Sequence, residues 1–182
     1  SLANLALEVG RMEKTISNQI YKMNIGLLTK LPSKIEKLIK EFTPSAKIIS
    51  KKLAQANACY FIGRNIAYPI ALEGSLKLKE ISYMHSEGFP GGEMKHGPIA
   101  LIDRYSITVC LIPKNDLFEK SVSNAQEISA RNGKIIILSS VRNMSKINGE
   151  IKVIKMPKEN IIDTPFIYTI PLQLISYYFA LN

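Results

Sequence analysis

The chain has 182 residues with 46% apolar and 21% charged side chains, enough to bury one core and too little for two independent domains. That composition excludes disordered and fibrous classes, and no apolar run approaches the roughly 18 residues of a membrane span. A net charge of +9 invites a nucleic-acid or membrane partner, but its distribution argues against both. Residues 1–55 hold ten Lys/Arg against four Asp/Glu, spaced at helical intervals (Lys30, Lys34, Lys37, Lys40) and not interleaved with aromatics, which reads as a solvated helical face. With no basic-then-apolar leader at the N-terminus, a cytoplasmic protein is the expectation.

In chain order, "LANLALEVGRMEK" has an apolar period near 3.6 but starts at Ser1 without a cap or initiator Met, as an excised piece would. A second helix is expected from about Ser17 to Lys30. "LPSKIEKLIKEF" and "TPSAKIISKKLAQ" each put Pro near a helix start, Thr43 serving as N-cap before Pro44. Residues 1–55 are therefore expected to be a lead-in of four helices.

From residue 56 to 182 the pattern alternates. "ACYFIG" (58–63), "SITVCLIP" (106–113), "KIIILSS" (134–140) and "EIKVIKMP" (150–157) are short, rich in β-branched residues and bounded by Gly, Pro or Asn, so they are expected to be strands. Helices are expected at about Tyr68–His85, Glu93–Leu101, Asp116–Asn132 and Asp163–Leu181. Such alternation implies an α/β fold, a doubly wound, mainly parallel sheet covered on both faces, with ligands at the carboxyl ends of the strands. Cys59 and Cys110 lie inside strand-like runs and are expected to be buried thiols; no metal and no cofactor is expected.

The stretch "EGSLKLKEISYMHSEGFPGGEMKHGP" (73–98) carries the chemistry. On a helix Glu73, Lys77 and Glu80 fall within about 60° of one another, flanked by Ile70, Ile81, Leu76 and Tyr83. Ser75, Lys79 and Ser82 lie opposite, so the charges are expected to face protein and the serines solvent. A lysine between two carboxylates pairs them, and the set could also act as a general acid/base beside a cation that stabilises an oxyanion or enolate. Ordinary surface ion pairs fit the same spacing. The glycine- and proline-rich turn that follows holds His96, free to titrate near neutral pH or simply to sit on the surface. His85 has no partner that spacing identifies. Gly63, Arg64 and Asn65 form a turn in which a phosphate could be cradled, a weak signal with one glycine.

"GRNIAYPIALEGSLKLKEISYMHSEGFPGGEMKHGPIALID" resembles the second sugar-isomerase (SIS) domain of the glucosamine-6-phosphate synthases, the isomerizing glutamine:fructose-6-phosphate aminotransferases. The likeness extends through "LPSKIEKLIK", "PKNDLFEKSVSNAQEISARNGK" and "TPFIYTIPLQLISYYFALN". It implies a flavodoxin-like SIS fold over 56–182, a lead-in over 1–55 that includes the end of a preceding SIS domain, and a dimeric parent acting on fructose 6-phosphate. In that family Glu80 would match the carboxylate that transfers a proton between C1 and C2, and Lys77 the lysine beside the reacting carbons. Glu73 would match a supporting carboxylate, and His96 the ring-opening histidine that acts in the neighbouring subunit's site. The resemblance places a glutaminase domain, a phosphate-holding first SIS domain and a tail with a Schiff-base lysine outside these residues, so the chain alone is expected to be inactive. The competing expectation is a non-catalytic SIS module that senses sugar phosphates.

Overall fold

The computed structural model describes residues 2–145 and 147–182. Five parallel strands, β1 (Ala58–Gly63), β2 (Ser86–Pro90), β3 (Ser106–Leu111), β4 (Lys134–Ser139) and β5 (Ile151–Lys155), form one sheet in the order β2-β1-β3-β4-β5. This is the flavodoxin-like order, with its switch point between β1 and β3. Successive side chains in a strand point to opposite faces, and here both faces are dry. Cys59, Phe61, Ile107, Val109, Ile136 and Leu138 enter one apolar cluster; Tyr60, Ile62, Cys110, Ile135 and Ile137 enter another. Helices α2 (Asn18–Leu53), α3 (Ala67–Ser82) and α5 (Thr164–Ala180) cover the first face, and α4 (Phe118–Ser129) the second. Both cysteines are buried free thiols, and burial pushes each thiol far above its ordinary pKa.

Four expected strands are present to within a few residues, whereas β2 lies in the stretch read as a turn. "SEGFP" has no apolar alternation; it is a strand because it pairs with β1, from Cys59 opposite Ser86 to Gly63 opposite Pro90. As the sheet's edge it tolerates a proline.

The lead-in is two helices and not four: α1 (Leu2–Met12), and α2, which runs unbroken for 36 residues. Ser17 caps α2 by accepting the Ile20 N–H at 3.2 Å, but Pro32 and Pro44 lie inside it and Thr43 is no cap. The Thr43 hydroxyl instead donates to the Ile39 carbonyl at 2.7 Å. Each proline removes a backbone hydrogen bond at a cost of about 3 kcal/mol. Burial of Leu31, Leu38, Phe42, Ala46, Ile49 and Leu53 along one helical stripe, at roughly 1.5–3 kcal/mol for each large side chain, outweighs that loss. Among the described residues no helix is long and apolar enough to cross a membrane.

The expected helix at Glu93–Leu101 is instead two short 3-10 segments, Gly91–His96 and Pro98–Leu101, hinged at Gly97 with φ 137°. Only glycine adopts that φ without strain, so the bend behind His96 depends on it.

Candidate active site on helix α3 and the His96 loop

Helix α3 follows β1 through Gly63, and its phase departs from the expectation: Ser75 is buried and Ser82 half-buried, while Lys79 is exposed as expected. The buried face is Ala67, Ile70, Ala71, Gly74, Ser75 and Leu78. Ser75 is 4% exposed, and its carbonyl accepts the Ser86 hydroxyl at 2.6 Å, joining α3 to β2. The inward face uses small residues because α5 and β1 lie very close: a Cβ on Gly74 would sit 2.4 Å from Leu172 Cδ1. Hydroxyl polarity suggested solvent at Ser75, but its small volume decides the packing.

Glu73, Lys77 and Glu80 consequently lie on the outer face, where Leu72, Leu76 and Ile81 are each more than 40% exposed. Lys77 Nζ donates to Glu80 Oε2 at 2.6 Å. That hydrogen bond is the first cause raising the Lys77 pKa, desolvation opposes it, and the Coulomb attraction of Glu80 and then Glu73 adds to it. Lys77 is therefore a fixed cation throughout the neutral range and cannot serve there as a base. The arrangement provides a carboxylate able to exchange a proton, and beside it an ammonium able to hold developing negative charge.

Tyr83 ends α3 in the left-handed conformation, φ 59°, which a glycine more often supplies. That bend stops the helix short of the expected His85 and turns the chain into β2. His85 Nε2 stands 3.9 Å from Glu87 Oε1 on the surface.

His96 ends the first 3-10 segment, exposed, and its side chain makes no hydrogen bond or ion pair with a described residue. Within one chain it does not join the Lys77–Glu80 pair. Its loop is nevertheless fastened at three points. Met94 is 1% exposed in the second core, and Lys95 Nζ reaches Glu127 Oε1 at 3.0 Å. Beneath the glycine pair, Arg64 Nε donates to Asn124 Oδ1 at 2.8 Å.

Sequence reasoning missed this last bridge, although "GG" was its visible trace. A Cβ on Gly91 would lie 2.7 Å from Asn124 Oδ1, and one on Gly92 3.4 Å from Arg64 Nη1. Arg64, read as part of a possible phosphate turn, is thus engaged in positioning the His96 loop. Asn124 is 4% exposed. Asn124→Ala should destabilise the chain by about 1–3 kcal/mol, because it strands the Arg64 donor. Amide exchange at Gly92–Lys95 should accelerate well beyond that in β1; equal acceleration in both would show that the bridge does not hold the loop.

The model of the SIS domain family matches residues 52–182. The chain is 40% identical over 181 residues to the isomerizing glutamine--fructose-6-phosphate aminotransferase of Haemophilus influenzae, covering 100% of this chain and 30% of that protein. It is 44% identical over 156 residues to the one from Aquifex aeolicus, covering 86% and 26%. Among solved structures, the C-terminal domain of glucosamine-fructose-6-phosphate aminotransferase from Francisella tularensis superposes with a TM-score of 0.91 at 34% identity, over 97% of this chain and 50% of that one. The chain thus spans less than a third of the curated relatives it resembles. With well over half of its residues matched by that family's model, the chain belongs to the SIS domain family.

Proposed function

We propose that the chain is the second SIS domain in the isomerase half of a cytoplasmic glutamine:fructose-6-phosphate aminotransferase, which forms glucosamine 6-phosphate and glutamate. The observation that carries this reading is the 2.6 Å Lys77–Glu80 pair on an outward face, together with an uncommitted His96 on a separately braced loop. Glu80 transfers the proton between C1 and C2 of the open-chain sugar. Lys77, permanently cationic, stands beside the reacting carbons, and Glu73 one turn earlier supports it electrostatically. His96 opens the sugar ring in the site of a second copy. The exposed Leu72, Leu76 and Ile81 around the triad are what a protein partner would cover. Glutaminase and first SIS domains, providing ammonia and the phosphate grip, complete the enzyme.

Mixing two inactive variants of the intact aminotransferase tests the arrangement. If His96 acts in trans, a dimer of one Glu80→Gln and one His96→Asn subunit contains one site with both native groups. Random pairing of the two variants should then restore about a quarter of the parent activity, by two-fold symmetry. If both groups act in the same subunit, the mixture stays inactive.

A further inference from the structure

We propose that the chain carries a second anion site, a basic cleft at the carboxyl ends of β4 and β5, and that its ligand is a multiply charged phosphate. The cleft measures about 880 Å³ and is lined by Lys34 and Lys37 of α2, Lys114 after β3, and Lys155 and Lys158 at the end of β5. Among the described residues its only lining carboxylate is Glu41. These lysines come from distant parts of the sequence, so they do not form the charge run of one solvated helix.

Two of the five ammonium groups are already neutralised. Lys34 Nζ lies 2.6 Å from Asp163 Oδ2 and also donates to the Lys158 carbonyl at 2.7 Å, while Lys37 stands 3.7 Å from Glu41. No carboxylate among the described residues reaches Lys114, Lys155 or Lys158 within ion-pair distance. Three ammonium groups outside any ion pair therefore border one concavity, which focuses their field and raises the local concentration of anions, and the Glu159 carboxylate bound to the Lys114 N–H offsets part of that charge.

The backbone bearing them is held in place. Lys114 N–H donates to Glu159 Oε1 at 2.6 Å, and the same oxygen accepts the Ser140 hydroxyl at 3.0 Å. Lysine binds phosphate as a point charge, so three on a fixed frame suit a diphosphate or a phosphate ester better than a single carboxylate. Leu38, Phe42 and Met156 add an apolar wall, leaving room for an organic group. The cleft lies beyond the carboxyl ends of β4 and β5, the end of the sheet at which open parallel sheets bind ligands, but away from the switch point between β1 and β3. Neither Glu80 nor His96 lines the cleft.

Titrating pyrophosphate into the 182-residue chain at constant ionic strength, followed by calorimetry, tests the site. One saturable site is expected. Lys155→Gln/Lys158→Gln should weaken it about tenfold or more, while Lys22→Gln/Lys51→Gln, which removes equal charge from α2 outside the cleft, should leave it unchanged. Matching thermal melts would show that both variants are folded. No saturable binding, or equal weakening by the two pairs, would overturn the proposal. Displacement of pyrophosphate by fructose 6-phosphate or by a nucleoside diphosphate would support the cleft and identify the organic half of its ligand. The outcome is independent of the isomerase reading, because Glu80→Gln should leave pyrophosphate binding intact.

Discussion

Glu80→Gln in the intact aminotransferase should lower glucosamine 6-phosphate formation about 10²- to 10⁴-fold while leaving fructose 6-phosphate binding nearly unchanged. The amide keeps the shape of the carboxylate and can still pack beside Lys77 at the former ion-pair distance of 2.6 Å. It cannot take up and return a proton, and that transfer is what a general acid/base supplies at about this magnitude. The loss should therefore fall on kcat and on solvent-proton exchange at C1 and C2, with KM little changed. Lost stability cannot imitate this pattern, because Glu80 is half-exposed and a solvent-screened ion pair of this kind contributes little to stability. A variant retaining full exchange would remove the isomerase assignment and favour a sensing role, since a sensor needs no proton shuttle.

The parts of the fold that were legible in the sequence are those whose stabilisation is local in pattern. β1, β3, β4 and β5 are continuous apolar runs because helices cover both faces of the sheet, and burial on both sides leaves that mark on the residues themselves. β2 bears no such mark. Its identity lies in the register with β1, a contact with residues 27 positions earlier in the chain. The unity of α2 was concealed by Pro32 and Pro44, each of which argues locally for a helix start, while the opposing stripe from Leu31 to Leu53 is satisfied only by tertiary packing.

The candidate site divides along the same line. The spacing of Glu73, Lys77 and Glu80 predicted one shared face and a lysine within reach of a glutamate, and both hold. Which way that face points depended on how closely α5 approaches, information carried by Gly74 and Ser75 as an absence of bulk. The bracing of His96 by Arg64 and Asn124 joins residues 60 positions apart and could not be read from spacing.

Gly63→Ala should cost about 3 kcal/mol and lower the melting temperature by roughly 6–12 °C, whereas Gly74→Ala should be close to neutral. Both substitutions add the same methyl group on the approach to or within α3. At Gly63 the new Cβ would fall 2.2 Å from the Ala67 carbonyl oxygen, 2.4 Å from its carbon and 2.8 Å from the Tyr68 nitrogen. All three are backbone atoms in the first turn of α3, so relief requires the helix start to move away from β1. At Gly74 the shortest contact, 2.4 Å, is with the tip of Leu172, and Phe61 ring atoms follow at 3.1 and 3.2 Å. A leucine methyl can rotate aside, and alanine gains about 1 kcal/mol of helix propensity over glycine to offset that strain. Displacing the start of α3 would also shift the face that presents Lys77 and Glu80. Gly63→Ala should therefore depress activity in the intact enzyme even at temperatures where it remains folded, and Gly74→Ala should not. Thermal melts of the two variants beside their activities below the transition measure this contrast. Equal destabilisation by both would mean that α3 is held by its contacts with α5 rather than by its junction with β1.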